Sequence, residues 1–159
     1  MKRIIAIIAA LIITALSLTG CFGLGSNTSS GSSTADQANA ADVSSYSKDF
    51  EGLQKYVTDR NSAEKQEIYY GIVGAKDGVR YVFNKNAYVE IYDYSSADNE
   101  TAKKIIEDIK DDGTFRPMED GTMMTGIVTD SGKYVLAWDA SRSYDYAGKV
   151  ATDELVANW

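Results

Sequence analysis

Three short runs of alternating hydrophobicity, Tyr70–Ala75, Val79–Phe83 and Tyr88–Tyr94, follow one another closely along the chain. A side-chain period of two belongs to a strand with one face turned to the core. Lys76-Asp77-Gly78 is a tight-turn signal of the Asp-Gly kind, and Asn84–Asn86 supplies the next turn. The runs therefore predict an antiparallel meander of three strands.

The flanking segments change period. Phe50, Leu53, Tyr56 and Val57 recur at helical spacing, so a helix is predicted over residues 48–60, with Ser47 as its N-cap. Asn61–Gln66 is polar and reads as loop. After the meander, Ala102, Ile105, Ile106 and Ile109 form the apolar stripe of a second helix. Ser95, with Asp98 three residues on, reads as its capping box, and Asp112-Gly113 as its stop. Thr114–Met118 is a candidate short strand closed by Pro117. Thr122–Val128 and Lys133–Trp138 are strands joined at Asp130-Ser131-Gly132. Val150, Leu155 and Val156 place a last helix in Tyr146–Trp159. This order predicts an α+β fold: an antiparallel sheet of five to six strands with two or three helices packed on one face.

Charge and residue usage narrow the chemistry. The chain has 16 basic and 23 acidic residues, a formal charge of −7. Such a surface does not attract nucleic acid or anionic lipid headgroups. The chain has one cysteine and no histidine. No Ser-His or Cys-His nucleophile pair is possible, and no histidine is present to ligate zinc. Acid–base work would fall to carboxylates, lysine or tyrosine. No metal site and no cofactor is expected. Without a disulfide, the domain must rest on its apolar core.

The first residues describe an address. Lys2 and Arg3 precede an apolar and small-residue run, Ile4–Leu18. About 15 residues span roughly 22 Å as a helix, short of a bilayer core of about 30 Å. Length and flanks fit a signal peptide. Leu18-Thr19-Gly20-Cys21 resembles the lipobox of bacterial lipoproteins. In that family a diacylglyceryl group is attached to the cysteine and the signal is cut just before it. The resemblance implies cleavage between Gly20 and Cys21, lipid on Cys21, and partnership with a membrane through that lipid. It explains why an exported chain would keep a single cysteine. On the resemblance the chain divides into a removed signal at residues 1–20, a lipidated tether at 21–45, and one domain at 46–159. The tether is rich in Gly, Ser, Thr, Asn and Ala, and cannot bury enough surface to fold. Its coil dimension is roughly 25–30 Å. The anchor implies the outer leaflet of the cell membrane in a single-membrane bacterium, and Phe22 favours the outer membrane in a double-membrane one.

Several motifs invite a functional reading. Ser45-Tyr46-Ser47-Lys48 matches S-x-x-K, but neither S-D-N nor K-T-G accompanies it. Asp111-Asp112 and Glu119-Asp120 precede glycines without the alternating ligands of a calcium loop. Gly71, Gly74 and Gly78 are not a dinucleotide fingerprint. The third strand is more informative. Alternation puts Val89 and Ile91 on the core face and Tyr88, Glu90, Tyr92 and Tyr94 on the other. Three tyrosines around a carboxylate form a candidate surface for stacking on sugars or gripping a peptide. Tyr144 and Tyr146 extend it if the tail folds back.

Gly74-Ala75, Gly78 and Glu90-Ile91-Tyr92, ahead of an amphipathic helix, resemble small lipoproteins of Gram-positive, clostridia-like bacteria. That resemblance implies a fold type and a location only. Two classes of function follow from the residues: an envelope binding module for a protein, peptide or cell-wall glycan, or a hydrolase using Glu90 and Asp93. Those two carboxylates lie three apart on a strand and face opposite sides, against the convergence such chemistry needs. The binding module is the favoured expectation.

Overall fold

The fold is that of a computed structural model, which describes residues 41–159. The predicted signal, the Gly20–Cys21 cleavage point and most of the tether lie outside the described residues. Among the described residues no helix is long and apolar enough to cross a membrane.

Helix α1 (Phe50–Arg60) opens the domain and is followed by β1 (Glu64–Glu67), β2 (Asp77–Asn84) and β3 (Ala87–Asp93). Helix α2 (Glu100–Asp112) precedes β4 (Thr114–Phe115), β5 (Met124–Val128) and β6 (Tyr134–Trp138). Helices α3 (Ala140–Val150) and α4 (Asp153–Asn158) close the chain. Two units of one helix and three strands thus precede the two closing helices. The strands form one sheet in the order β1-β2-β3-β6-β5-β4, every neighbouring pair antiparallel. The α+β expectation and its six-strand sheet are what the chain adopts.

The central strands dictate the layering. Tyr134-Val135-Leu136-Ala137-Trp138 is apolar at every position and buried at every position. A strand of that kind needs cover on both sides. One side buries Val79, Tyr81, Val89, Ile91 and Leu136 against Leu53, Val57, Val150, Leu155 and Trp159 of the N- and C-terminal helices. The other buries Tyr92, Tyr94, Met124, Val135 and Ala137 against Ala102, Ile105 and Ile109 of α2. The helices therefore divide between the two faces, correcting the expectation that all pack on one. Helix α2 seats closely because Gly126 has no side chain: a Cβ there would lie 2.9 Å from Ile109 Cδ1.

Other differences have local causes. Tyr70–Val73 is a 3-10 turn, not a strand, and ends at Gly74 with φ of +69°. Asn99 Nδ2 donates to the Gly74 carbonyl at 2.8 Å while its Oδ1 caps α2 through Ala102 N at 2.9 Å. Asn99, rather than Ser95, is therefore the cap. Asp77-Gly78 does not turn but opens β2, opposite Asp93 and Tyr92. The edge strand β1 falls in the segment read as loop, because all four of its residues are exposed and show no alternation. The tail is two helices, the second capped by Thr152. Residues 41–45, assigned to the tether, join the fold: Arg60 Nη2 donates to the Ala41 carbonyl at 2.7 Å.

The N-cap of α1 is Asp49, which accepts from Gly52 N at 2.8 Å; Ser47 instead donates its hydroxyl to Asp49. The entering chain presses so closely on the first turn that a Cβ on Gly52 would lie 1.9 Å from the Ser47 carbonyl oxygen. Gly52→Ala gains about 1 kcal/mol of helix propensity but meets an overpacking cost of about 1–3 kcal/mol. A net loss of up to about 2 kcal/mol is expected, read as a lower urea midpoint at unchanged m-value. A rise in the midpoint would show that the entry segment yields freely.

Candidate binding site

Register places the site. Glu64 lies opposite Val82 and Gln66 opposite Arg80 across β1–β2, while Arg80 lies opposite Glu90 and Val82 opposite Tyr88 across β2–β3. Directly opposed residues share a face, so these six side chains stand together on the side that α2 covers. Helix α2 packs over β4, β5 and the 3-10 turn. The β1–β2 half of the face is left open.

The predicted tyrosine face is split by that boundary. Tyr92 and Tyr94 are 4% and 5% exposed and belong to the core beneath α2, and Glu90 is 4% exposed. They are not a free binding surface, which corrects that expectation for three of its four residues. Only Tyr88, half-buried, reaches the open half. Burial pushes the Tyr92 and Tyr94 hydroxyls far up from their ordinary value, with Glu90 adding to the shift of Tyr92. Tyr94 donates to the Val73 carbonyl at 2.9 Å. Tyr146 stacks on Phe83 with centroids 4.9 Å apart and accepts from Asn84 Nδ2 at 3.1 Å, so it touches the rim of the open half. Tyr144, 73% exposed, does not extend the patch.

Glu90 is the hub of what remains. Arg80 donates to its Oε1 from Nε at 2.9 Å and again from Nη2, and Tyr92 donates to its Oε2 at 2.5 Å. The guanidinium so held lies 4.2 Å over the Tyr88 ring. Burial, and then the Glu90 charge, raise the Tyr88 hydroxyl above its usual value. Tyr88 N has no strand partner on its outer side and donates to Ser143 Oγ at 3.0 Å, which ties α3 to the same place. In front of Arg80 and Tyr88 opens a cleft of about 860 Å³, whose walls include Ser62, Glu64, Gln66, Val82 and Arg142.

Sequence reading found Tyr88 and Glu90 but missed Arg80, Gln66 and Arg142. A signal for Arg80 was present: Arg80 and Glu90 sit symmetrically about the Asn84–Asn86 turn, where a hairpin brings opposite charges face to face.

The remaining candidates resolve locally. Asp93 lies on the opposite face from Glu90, accepts from Ser95 N at 2.7 Å and sits 3.7 Å from Lys76 Nζ. The two carboxylates do not converge. Ser45 donates to the Asp42 carbonyl and Lys48 to the Val43 carbonyl, so the S-x-x-K residues serve the entry turn. Among the described residues no cluster of three or more acidic, cysteine or histidine side chains is arranged to hold a metal. No family model, curated protein or solved structure matches the chain.

Proposed function

We propose that the chain is a membrane-anchored extracytoplasmic lipoprotein whose acidic domain holds an envelope partner (a protein, a peptide or a cell-wall glycan) on the open half of its sheet. The Leu18-Thr19-Gly20-Cys21 motif behind a short apolar run supports the anchor. The observation that carries the binding role is the uncovered half-face itself. There Arg80 is fixed by a buried carboxylate, stacked on a half-buried tyrosine, and turned toward a cleft. A side chain immobilised before a ligand arrives loses less entropy on binding. The acidity of the chain speaks against nucleic acid as the partner.

Both halves of this proposal are testable in the producing cell. Cys21→Ala should abolish incorporation of labelled fatty acid and shift the protein out of the membrane fraction. Retention of label in that variant sinks the anchor. A photo-crosslinking residue placed at Gln66 should capture an envelope component that the same residue placed at Lys104, exposed on α2, does not. Equal capture from both positions counts against the face.

A further inference from the structure

The geometry points to a neutral, hydroxyl-rich glycan chain as the ligand of the cleft, an assignment that rests on the open sheet half being the binding face. Size comes first. A cleft of about 860 Å³ falls in the range of about 300–1,000 Å³ that suits a small ligand or a few sugar rings. A stable protein interface asks for about 800 Å² per partner around an apolar anchor pocket. Here the lining is mostly polar, with Arg80 on Tyr88, and its apolar members Ala63, Val82 and Phe83 are too few for such an anchor pocket.

Charge decides between classes of polymer. Arg80 is matched by Glu90, and Arg142 Nε lies 3.7 Å from Asp139. Lys85 and Glu64 offset each other among the remaining lining groups. The cleft is near neutrality on a chain of formal charge −7. A polyanion gains nothing locally and meets repulsion from the rest of the surface. A polycation would settle on that surface instead.

Hydrogen-bonding chemistry completes the argument. Gln66 offers a planar amide, Glu64 a carboxylate and Ser62 a hydroxyl, beside the guanidinium of Arg142. Between them they donate and accept from several directions. Neighbouring hydroxyls of a pyranose need that combination, and the Tyr88–Arg80 stack gives the ring a flat floor.

The test is a calorimetric titration of the full chain in detergent micelles. The probe is a β-1,4-linked N-acetylglucosamine tetramer, with polyglutamate and polyglycerol phosphate alongside. The tetramer is expected to bind with little dependence on salt. Gln66→Ala, an exposed change on the edge strand, should weaken it about tenfold, the loss of one amide's hydrogen bonds. Lys104→Ala should leave it unchanged. Tyr88→Ala should weaken it further, provided circular dichroism shows the fold retained; Gln66→Ala decides if it does not. Binding of a polyanion that fades with salt, with none of the tetramer, overturns the glycan assignment and leaves the binding face standing. So does capture of a protein through position 66 without tetramer binding. Tetramer binding unmoved by Gln66→Ala puts the sugar elsewhere and overturns this site. Silence of all three probes together with equal crosslinking from both positions removes the glycan and the face alike.

Discussion

Arg80→Met should destabilise the domain by about 3 kcal/mol, a loss that Glu90→Leu in the same chain should largely return. Glu90 is 4% exposed and receives three hydrogen bonds, two of them from Arg80. Removing the guanidinium leaves a carboxylate in the sheet with one phenol as its partner. An uncompensated buried charge costs about 3–5 kcal/mol. The lower end applies because the Arg80 side chain is 35% exposed, so water reaches the vacated position. Removing both charges eliminates the desolvated group itself. What remains is the loss of an acceptor for Tyr92, about 1–2 kcal/mol, which Tyr92→Phe relieves. Urea denaturation of the two single variants and the double variant closes the cycle. A double variant as unstable as the sum of the singles would mean that the pair is not coupled and that Arg80 is not held as described. Because Arg80 lines the cleft, the stabilised double variant should also bind its ligand poorly, separating the two roles of Arg80.

The elements that were legible from sequence carry a strong local signal and bury one clear stripe. Ala102, Ile105 and Ile109 define α2 by spacing alone, and Gly113, at φ of +71°, ends it where Asp112-Gly113 marked the stop. Gly132, at φ of +72°, turns the β5–β6 hairpin where Asp130-Ser131-Gly132 stood. What failed lacked such a signal. Glu64–Glu67 is held to β2 by backbone pairing, which any side chain permits, and its charged residues suit an edge that must not recruit another strand. Tyr70–Val73 alternates as a strand does. Yet Gly74 must adopt a left-handed conformation beside Asn99, and Tyr69 and Ile72 are left outside while Val73 goes in.

The site was half legible for the same reason. Alternation along β3 identified Tyr88, Glu90, Tyr92 and Tyr94 as one face, which they are. Where α2 lies across that face depends on long-range packing, including the close seat of Ile109 on Gly126, and no local pattern encodes it. That placement buries Tyr92 and Tyr94 and spares Tyr88. The partner of Glu90 is set by register across a hairpin, and the equal spacing of Arg80 and Glu90 from the centre of the Asn84–Asn86 turn was its one sequence signal.

Alkaline unfolding should be steep, with stability falling by about 4 kcal/mol per pH unit above pH 10. Tyr81, Tyr92 and Tyr94 are 0%, 4% and 5% exposed. Burial pushes the Tyr81 hydroxyl up to about 12 and the other two higher still. In the unfolded chain each titrates near 10. Between about pH 10 and pH 12 the unfolded state therefore releases protons that the native state keeps, and each tyrosine costs about 1.4 kcal/mol per unit. The stability that these groups contribute is fully present below pH 10 and is lost as pH rises toward their native values. A domain at the lower end of the usual range, about 5–8 kcal/mol, then unfolds near pH 11–12. Tyrosinate absorbance from the buried phenols and circular dichroism should change together there. Tyr81→Phe, which gives up a hydroxyl contact to the Gln54 carbonyl at 3.2 Å, should flatten the slope by about one third. Were all eleven tyrosines to ionise near pH 10 with the fold intact, the phenols beneath α2 would have to be open to water. Helix α2 would then not cover that half of the sheet, and the boundary that leaves Tyr88 at the cleft would go with it.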